Sequence, residues 1–150
     1  MNNIRVTKEF YFETAHALYG YDGKCKNIHG HSYKLSVTII GVPIQDINNP
    51  KNGMVLDFGD LKKIVKSEVV DIFDHATIFN EKTPHKLIAL DLEKSGQHVI
   101  LVPYQPTSEM MLIDIAQKIK TKLPNDVQLH SLRLYETNTS YAEWFAADQK

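Results

Sequence analysis

The stretch FETAHALYGYDGKCKNIHGHSYKLSVTI, residues 12–39, decides the fold of this chain. Apolar and polar side chains alternate on both sides of a polar loop that runs from Gly20 to Asn27. Alternation with a period of two is typical of half-buried β-strands. The stretch therefore predicts one strand from Ile4 to about Leu18 and a second that begins at His29, and we expect the two to pair in antiparallel orientation.

Three histidines lie where these strands approach the loop. His29 and His31 share the odd-numbered, apolar face of the second strand, and His16 shares the even-numbered, apolar face of the first. The residues that define these faces are Phe10, Phe12, Tyr33, Leu35, Val37 and Ile39. Because buried imidazole nitrogens need partners, one bound metal ion would satisfy the three rings together. Zinc suits this ligand set best, although iron and nickel accept the same ligands.

Cys25 is the only cysteine, so the chain cannot form an internal disulfide. It lies between Lys24 and Lys26, whose charges favour a thiolate. Three alternatives stay open at this point: an inert core thiol, a reactive group, or a fourth metal ligand. A fourth ligand would close a structural site, whereas three histidines alone leave the open position typical of catalytic zinc.

The rest of the chain predicts two helices and further strands. The first helix runs from about Phe58 to Phe73, and the second begins after Thr107, a plausible N-cap, with Glu109 in its first turn. Further strands are predicted at residues 54–57, 87–92, 98–102, 127–137 and 140–146, of which 87–92 and 98–102 are expected to form a hairpin. Residues 74–80 are expected to form a loop. This order predicts an α+β fold in which two helices cover one face of an antiparallel sheet.

Composition limits the classes of function. The chain has 150 residues, 43% hydrophobic and 23% charged, which fits a single domain over residues 1–150. Its 17 lysines and arginines nearly balance 18 acidic residues, so no basic surface for nucleic acid or anionic lipid is expected. No apolar stretch approaches the roughly 20 residues that span a membrane, and no secretory leader is recognisable. We therefore expect a cytoplasmic protein with a small-molecule partner.

Two further sites carry ionisable side chains. Asp74 and His75 end the first helix, and the simpler interpretation is that the imidazolium complements the helix dipole. Glu136 shares its face of a predicted strand with Leu132 and Leu134. A carboxylate on a buried face needs hydrogen-bond donors, which either the protein or a ligand can supply.

Six short pieces occur in order: FETAH, CKNIHGHSY, GMVLDFGDLK, DHATIFN, PTSE and LYET. Together they make the chain resemble the 6-pyruvoyltetrahydropterin synthase family, which includes a bacterial branch of 6-carboxytetrahydropterin synthases in queuosine biosynthesis. The resemblance covers nearly the whole chain. It implies a T-fold, in which subunits join their sheets into a barrel with active sites at the interfaces. A homo-oligomer, a hexamer built from trimers, is therefore expected.

The resemblance also implies roles for the residues already singled out. The metal ion, Zn²⁺, would be held by His16, His29 and His31. Cys25 would be the catalytic acid/base, with Asp74 and His75 completing its proton relay. Glu136 would anchor the pterin ring, with Thr107 and Glu109 near the same pocket. These assignments come from the family and are expectations for this chain.

The spacing of Cys25 before the H-G-H piece resembles the carboxytetrahydropterin branch. That branch converts 7,8-dihydroneopterin triphosphate to 6-carboxytetrahydropterin, acetaldehyde and triphosphate. The alternatives are a 6-pyruvoyltetrahydropterin synthase, which eliminates triphosphate without breaking a carbon–carbon bond, and a non-catalytic, zinc-stabilised pterin-binding protein. Two features depart from the family: Ala17 replaces a common basic residue, and the segment Glu81–Gln105 is longer than in short relatives.

Overall fold

The computed structural model describes residues 1–150 and has a six-stranded sheet with the order β4-β3-β1-β2-β5-β6. The strands are β1 (Ile4–His16), β2 (His29–Gly41), β3 (Ala76–Asn80), β4 (Val99–Val102), β5 (Gln128–Thr137) and β6 (Ser140–Phe145). The helices are α1 (Phe58–Val65), which continues through a π-helical turn (Lys66–Val70) into α2 (Asp71–Phe73), then α3 (His85–Lys94) and α4 (Ser108–Lys120). No helix is both long and apolar enough to cross a membrane.

Strands β1 and β2 pair in antiparallel register along their whole length, from Ile4 opposite Gly41 to His16 opposite His29. Strands β5 and β6 continue the sheet, also antiparallel. The predicted inward faces are confirmed, because Phe12 lies opposite Tyr33 and both are buried. Their rings stack with centroids 5.4 Å apart. The alternation of the opening stretch therefore specified both the strands and the face that enters the core.

The other edge of the sheet differs from the prediction. Residues 76–80, expected in a loop, form β3, which pairs in parallel with the end of β1. The predicted hairpin is wrong: residues 85–94 form α3, and β4 pairs in parallel with β3. The predicted strand at 54–57 is also absent, and residues 44 and 53–54 are joined by local backbone hydrogen bonds instead. The sheet is therefore mixed rather than wholly antiparallel.

The physical reason lies in the residues interpreted as a hairpin turn. Ser95 closes α3, since its amide donates to the carbonyls of Asp91 and Leu92, and Gly96 follows with a φ of +91°. A left-handed glycine after a helix end is a common helix stop. Two parallel strands need a crossover connection, and α3 provides it. The apolar run 87–92 fits either element by pattern alone.

The helices from Phe58 to Phe73 and from Ser108 to Lys120 pack on one face of the sheet, as predicted. Thr107 caps α4, and Asp57 caps α1 by accepting a hydrogen bond from the amide of Gly59. A cluster of 23 buried residues fills the space between these helices and strands β1, β2 and β5. The predicted α+β architecture, with these two helices on one face of the sheet, is confirmed, and α3 packs on Phe79 at the opposite face.

Candidate metal centre and ligand cavity

The three predicted histidines meet at the end of the inward face. His16 and His29 are paired opposite each other, and His31 lies opposite Thr14. One ring nitrogen from each of the three lies within 4.8 Å of the others. His16 is 1% exposed, whereas His29 and His31 are partly buried. The strand pairing therefore brings together three imidazoles that could hold a metal ion.

Backbone carbonyls orient two of these rings. Nδ1 of His16 lies 2.6 Å from the carbonyl of Pro106, and Nδ1 of His29 lies 2.7 Å from the carbonyl of Asn27. A carbonyl oxygen only accepts hydrogen bonds, so both Nδ1 atoms donate and carry the proton. The lone pairs of both Nε2 atoms are then free, which is the arrangement of histidines that bind metals.

The Nε2 atoms show why a cation fits here. Those of His16 and His29 lie 3.0 Å apart, and the tautomers set by the carbonyls place two lone pairs against each other. Nε2 of His31 is buried without a hydrogen-bond partner. A metal ion among these atoms would replace the repulsion with coordination and would satisfy the buried nitrogen. The residues present therefore fit a metal ion.

Burial keeps two of these imidazoles neutral. Desolvation lowers the pKa of His16, only partly offset by its hydrogen bond to the Pro106 carbonyl. Desolvation also lowers the pKa of His31, against the opposing effect of the Glu136 carboxylate. A neutral imidazole is the metal-binding form, so burial favours binding at neutral pH.

Glu136 lies beside the histidines because the sheet has a bulge there. Tyr135 pairs with Tyr141 and Thr137 pairs with Ser140, so Glu136 is an extra residue without a partner on β6. Its Oε1 lies 3.5 Å from Nε2 of His31 and 3.7 Å from Nε2 of His16. A bulge commonly redirects a side chain toward a site.

A cavity of about 300 Å³ opens beside this carboxylate. Its lining residues are Ser108, Glu109, Glu136, Ser140, Tyr141 and Ala142. Glu109 and Glu136 are thus brought together, as the resemblance implied. Ser108, which we did not predict, is 7% exposed, and its Oγ has no hydrogen-bond partner. It lies between Thr107 and Glu109 in the PTSE piece, and this position is the sequence signal that could have identified it.

Thr107 has a structural role in this chain. Its side chain accepts a hydrogen bond of 3.3 Å from the amide of Met110 and so caps α4. It does not line the cavity that contains Glu109 and Glu136. Its effect on the site is therefore to fix the start of α4, next to the Pro106 carbonyl that orients His16.

Tyr33 is a second residue that we did not single out. It is fully buried and its ring lies edge-on to those of His16 and His31, with its ring centroid 5.6 Å from that of His31. Its hydroxyl has no hydrogen-bond partner. Burial, together with the negative charge of Glu136, raises the pKa of this phenol, which therefore stays protonated.

Asp74 and His75 form a pair that the backbone holds firmly. Oδ1 of Asp74 accepts a 2.8 Å hydrogen bond from the amide of Glu13, and Oδ2 lies 3.0 Å from Nδ1 of His75. The backbone bond to Glu13, followed by His75, lowers the pKa of Asp74. His75 has a φ of +59°, rare outside glycine, and its side chain is 79% exposed. The pair is assembled but open to solvent.

Cys25 lies in a 3₁₀ turn, Lys24–Lys26, and is partly buried. The group of residues able to hold a metal contains the three histidines and not this cysteine. Within one chain, no hydrogen bond joins Cys25 to Asp74 or His75. The structure therefore does not place Cys25 with the three histidines as a fourth ligand, and within the chain the predicted proton relay is incomplete.

Comparison with known proteins identifies the family. The sequence profile described as 6-pyruvoyl tetrahydropterin synthase matches residues 5–147. The chain belongs to the 6-pyruvoyl tetrahydropterin synthase family. Among curated members, the 6-carboxy-5,6,7,8-tetrahydropterin synthase of Haemophilus influenzae is 43% identical over 144 residues, 94% of this chain and 98% of that protein. The protein of the same name from Rickettsia typhi is 33% identical, over 93% of this chain and 99% of that protein.

Solved structures share the fold. The 6-pyruvoyl tetrahydropterin synthase of Caenorhabditis elegans aligns with a TM-score of 0.68 and 26% identity, covering 97% of each chain. An uncharacterized protein of Wolinella succinogenes aligns with a TM-score of 0.79 and 20% identity, covering 97% of this chain and 99% of that one. The predicted T-fold is confirmed for the single chain, and the barrel formed by several subunits stays a prediction.

Proposed function

We propose that this protein is a zinc-dependent 6-carboxy-5,6,7,8-tetrahydropterin synthase that acts on 7,8-dihydroneopterin triphosphate in queuosine biosynthesis. The observation that carries the proposal is the meeting of three imidazoles, whose ring nitrogens lie within 4.8 Å of one another, with the Glu136 carboxylate 3.5 Å from one of them. The names of the Haemophilus and Rickettsia relatives favour the carboxy-forming reaction.

Glu136 is the proposed anchor for the pterin ring. One carboxylate can accept two parallel hydrogen bonds, here from the 2-amino group and the adjacent ring N–H. The side chain is 31% exposed, so it is accessible from the cavity yet partly desolvated, which strengthens such bonds. Glu109 and the unpartnered hydroxyl of Ser108 line the same cavity and add polar groups to the ring's edge.

His16, His29 and His31 are the proposed zinc ligands. When bound, Zn²⁺ supplies Lewis-acid polarisation of a substrate side-chain oxygen. The three imidazoles leave one coordination position for substrate, which is the pattern of catalytic zinc sites. The carbonyls of Pro106 and Asn27 fix two of the rings so that the ligands need little rearrangement.

Cys25 is the proposed acid/base that removes or delivers a proton at the side-chain carbon next to the ring. Asp74 fixes the ring of His75 through the 3.0 Å contact, and this pair is proposed to exchange protons with Cys25. Because one chain leaves the pair and the thiol unconnected, we propose that they meet at a subunit interface of a homo-oligomer.

Product analysis tests the function directly. Zinc-loaded protein is incubated with 7,8-dihydroneopterin triphosphate, and the products are identified by mass spectrometry. We expect 6-carboxytetrahydropterin, acetaldehyde and triphosphate. Absence of any turnover with the metal site fully loaded would refute the enzyme assignment and leave a pterin-binding protein.

The second candidate is 6-pyruvoyltetrahydropterin formation. The likeness to the Caenorhabditis elegans synthase, at 26% identity, favours it. In that reaction triphosphate leaves without carbon–carbon cleavage, so the product keeps the three-carbon side chain and no acetaldehyde appears. The product mass therefore separates the two reactions in one measurement.

A further inference from the structure

The segment between β3 and α4, residues 81–105, has no role in the site described above. Its helix α3 packs against β3 and β4, and its Ala89 forms a small buried cluster with Phe79 of β3 and with Ala17, the residue after β1. Ala17 directly follows His16 and is 1% exposed. Helix α3 therefore covers the point at which the loop that carries Cys25 begins.

Two contacts join this segment to the Cys25 loop, which we define as residues 18–28. Nε2 of Gln105 donates a 3.0 Å hydrogen bond to the carbonyl of Tyr19. The ring of His85, at the start of α3, lies edge-on to the ring of Tyr19 with centroids 5.2 Å apart. His85 also contacts Phe79 of β3, with centroids 5.5 Å apart. Tyr19 is thus in contact with both ends of the segment.

The remaining hydrogen bonds of the Cys25 loop stay close to the loop. The amide of Leu18 donates to the carbonyl of Cys25 at 3.0 Å, and the amide of Lys26 donates to the carbonyl of Gly23. The carbonyl of Asn27 accepts from the ring of His29, the residue at which β2 begins. Gln105 is therefore the only residue beyond the loop and His29 that hydrogen-bonds to it.

This arrangement connects the segment to the thiol in three steps. Gln105 and His85 hold Tyr19, Tyr19 is bonded to Leu18, and Leu18 holds the backbone of Cys25. Burial does not hold Tyr19, because the residue is 47% exposed. Its position therefore depends on these two contacts.

We propose that Gln105 and His85 are positioning residues that set the place of Cys25 through Tyr19. The proposal rests on the proposed role of Cys25 as the acid/base. It gives residues 81–105 a function. His85 in α3 and Gln105 in the connection between β4 and α4 together support the Cys25 loop. A displacement of about 1 Å at a reacting group can cost about a hundredfold in rate, so such a platform affects turnover without touching substrate.

The test uses the full-length, zinc-loaded protein with the substitutions Gln105→Ala and His85→Ala, alone and combined. Gln97→Ala is the matched control, because Gln97 is exposed on the same segment and its side chain makes no hydrogen bond. Gln105→Glu removes the donor at nearly constant size and replaces Gln105→Ala if that variant does not fold.

Two readouts separate positioning from general stability. Turnover of 7,8-dihydroneopterin triphosphate should lose about tenfold or more in kcat in the double variant, with KM and zinc content close to those of Gln97→Ala. Alkylation by iodoacetamide, followed by intact mass, reports Cys25 alone because the chain has no other cysteine. We expect its rate to rise about tenfold as the loop is released.

Equal kcat and equal alkylation rates in the double variant and in Gln97→Ala would overturn the proposal. If the unsubstituted protein shows no turnover but the alkylation rates differ, the platform stands and the proposed function fails. If turnover is present but neither readout changes, the proposed function stands and the positioning role is refuted.

Discussion

The substitution Glu136→Gln tests the anchor at nearly constant volume. The amide retains one acceptor, but its NH₂ group would face a ring N–H donor where the carboxylate presented a second oxygen. In the variant, one hydrogen bond therefore loses its charged acceptor. The other is replaced by two donors that face each other. Hydrogen bonds to charged groups contribute about 1.5–3 kcal/mol, so we expect a loss of about 3 kcal/mol, or about a hundredfold in kcat/KM.

The assay is steady-state turnover of 7,8-dihydroneopterin triphosphate with zinc content measured on the same samples. Zinc should stay bound, because the three imidazoles and the carbonyls that orient two of them are unchanged. Glu93→Gln is the matched control, since Glu93 is exposed on α3 and should show unchanged kinetics. A kcat/KM for Glu136→Gln equal to that of the control, at full zinc occupancy, would show that the carboxylate does not anchor substrate.

The remaining predictions concern the metal, the thiol and pH. His31→Ala removes one of the three proposed ligands, so zinc measured after dialysis should fall well below one per chain, whereas exposed His98→Ala should keep it. Cys25→Ala should retain zinc and unfolding midpoint but lose turnover; loss of zinc with the thiol would instead show that Cys25 is a ligand. Burial lowers the pKa of His16 and His31, so below pH about 6.5 the unfolded chain binds more protons than the metal-free folded chain. In denaturant unfolding of metal-free protein, the free energy of unfolding should be constant above that pH and should fall as the pH drops toward the lowered pKa values. A free energy of unfolding that rises on acidification would contradict this.

The candidate metal centre illustrates what a linear pattern can predict. His16, His29 and His31 could be placed on one face because side-chain direction in a strand alternates with a period of two. Pairing of β1 with β2 then follows from burying both apolar faces together. Their ring orientation could not be predicted, since the carbonyl of Pro106 is 90 positions from His16 in the chain.

Other parts of the site depended on information that a local pattern lacks. The parity of Glu136 with Leu132 and Leu134 suggested an inward side chain, but the bulge that directs it to the histidines arises from pairing with β6. The hydrogen bond from the Glu13 amide to the Asp74 carboxylate likewise depends on β3 lying beside β1. No signal near either residue marks these neighbours.

By itself, the sequence determined the strand pair around the opening stretch, its buried face and the histidines on that face, because alternation and side-chain chemistry are local properties. The tertiary structure decided that residues 85–94 are a helix, that β3 and β4 extend the sheet in parallel, and that α3 reaches the loop of Cys25. An apolar run such as 87–92 suits a strand or a helix equally. The choice depends on the apolar surface that the segment has to bury. Here that surface includes Ala17, just after β1, and Phe79 in β3, and a helix covers both.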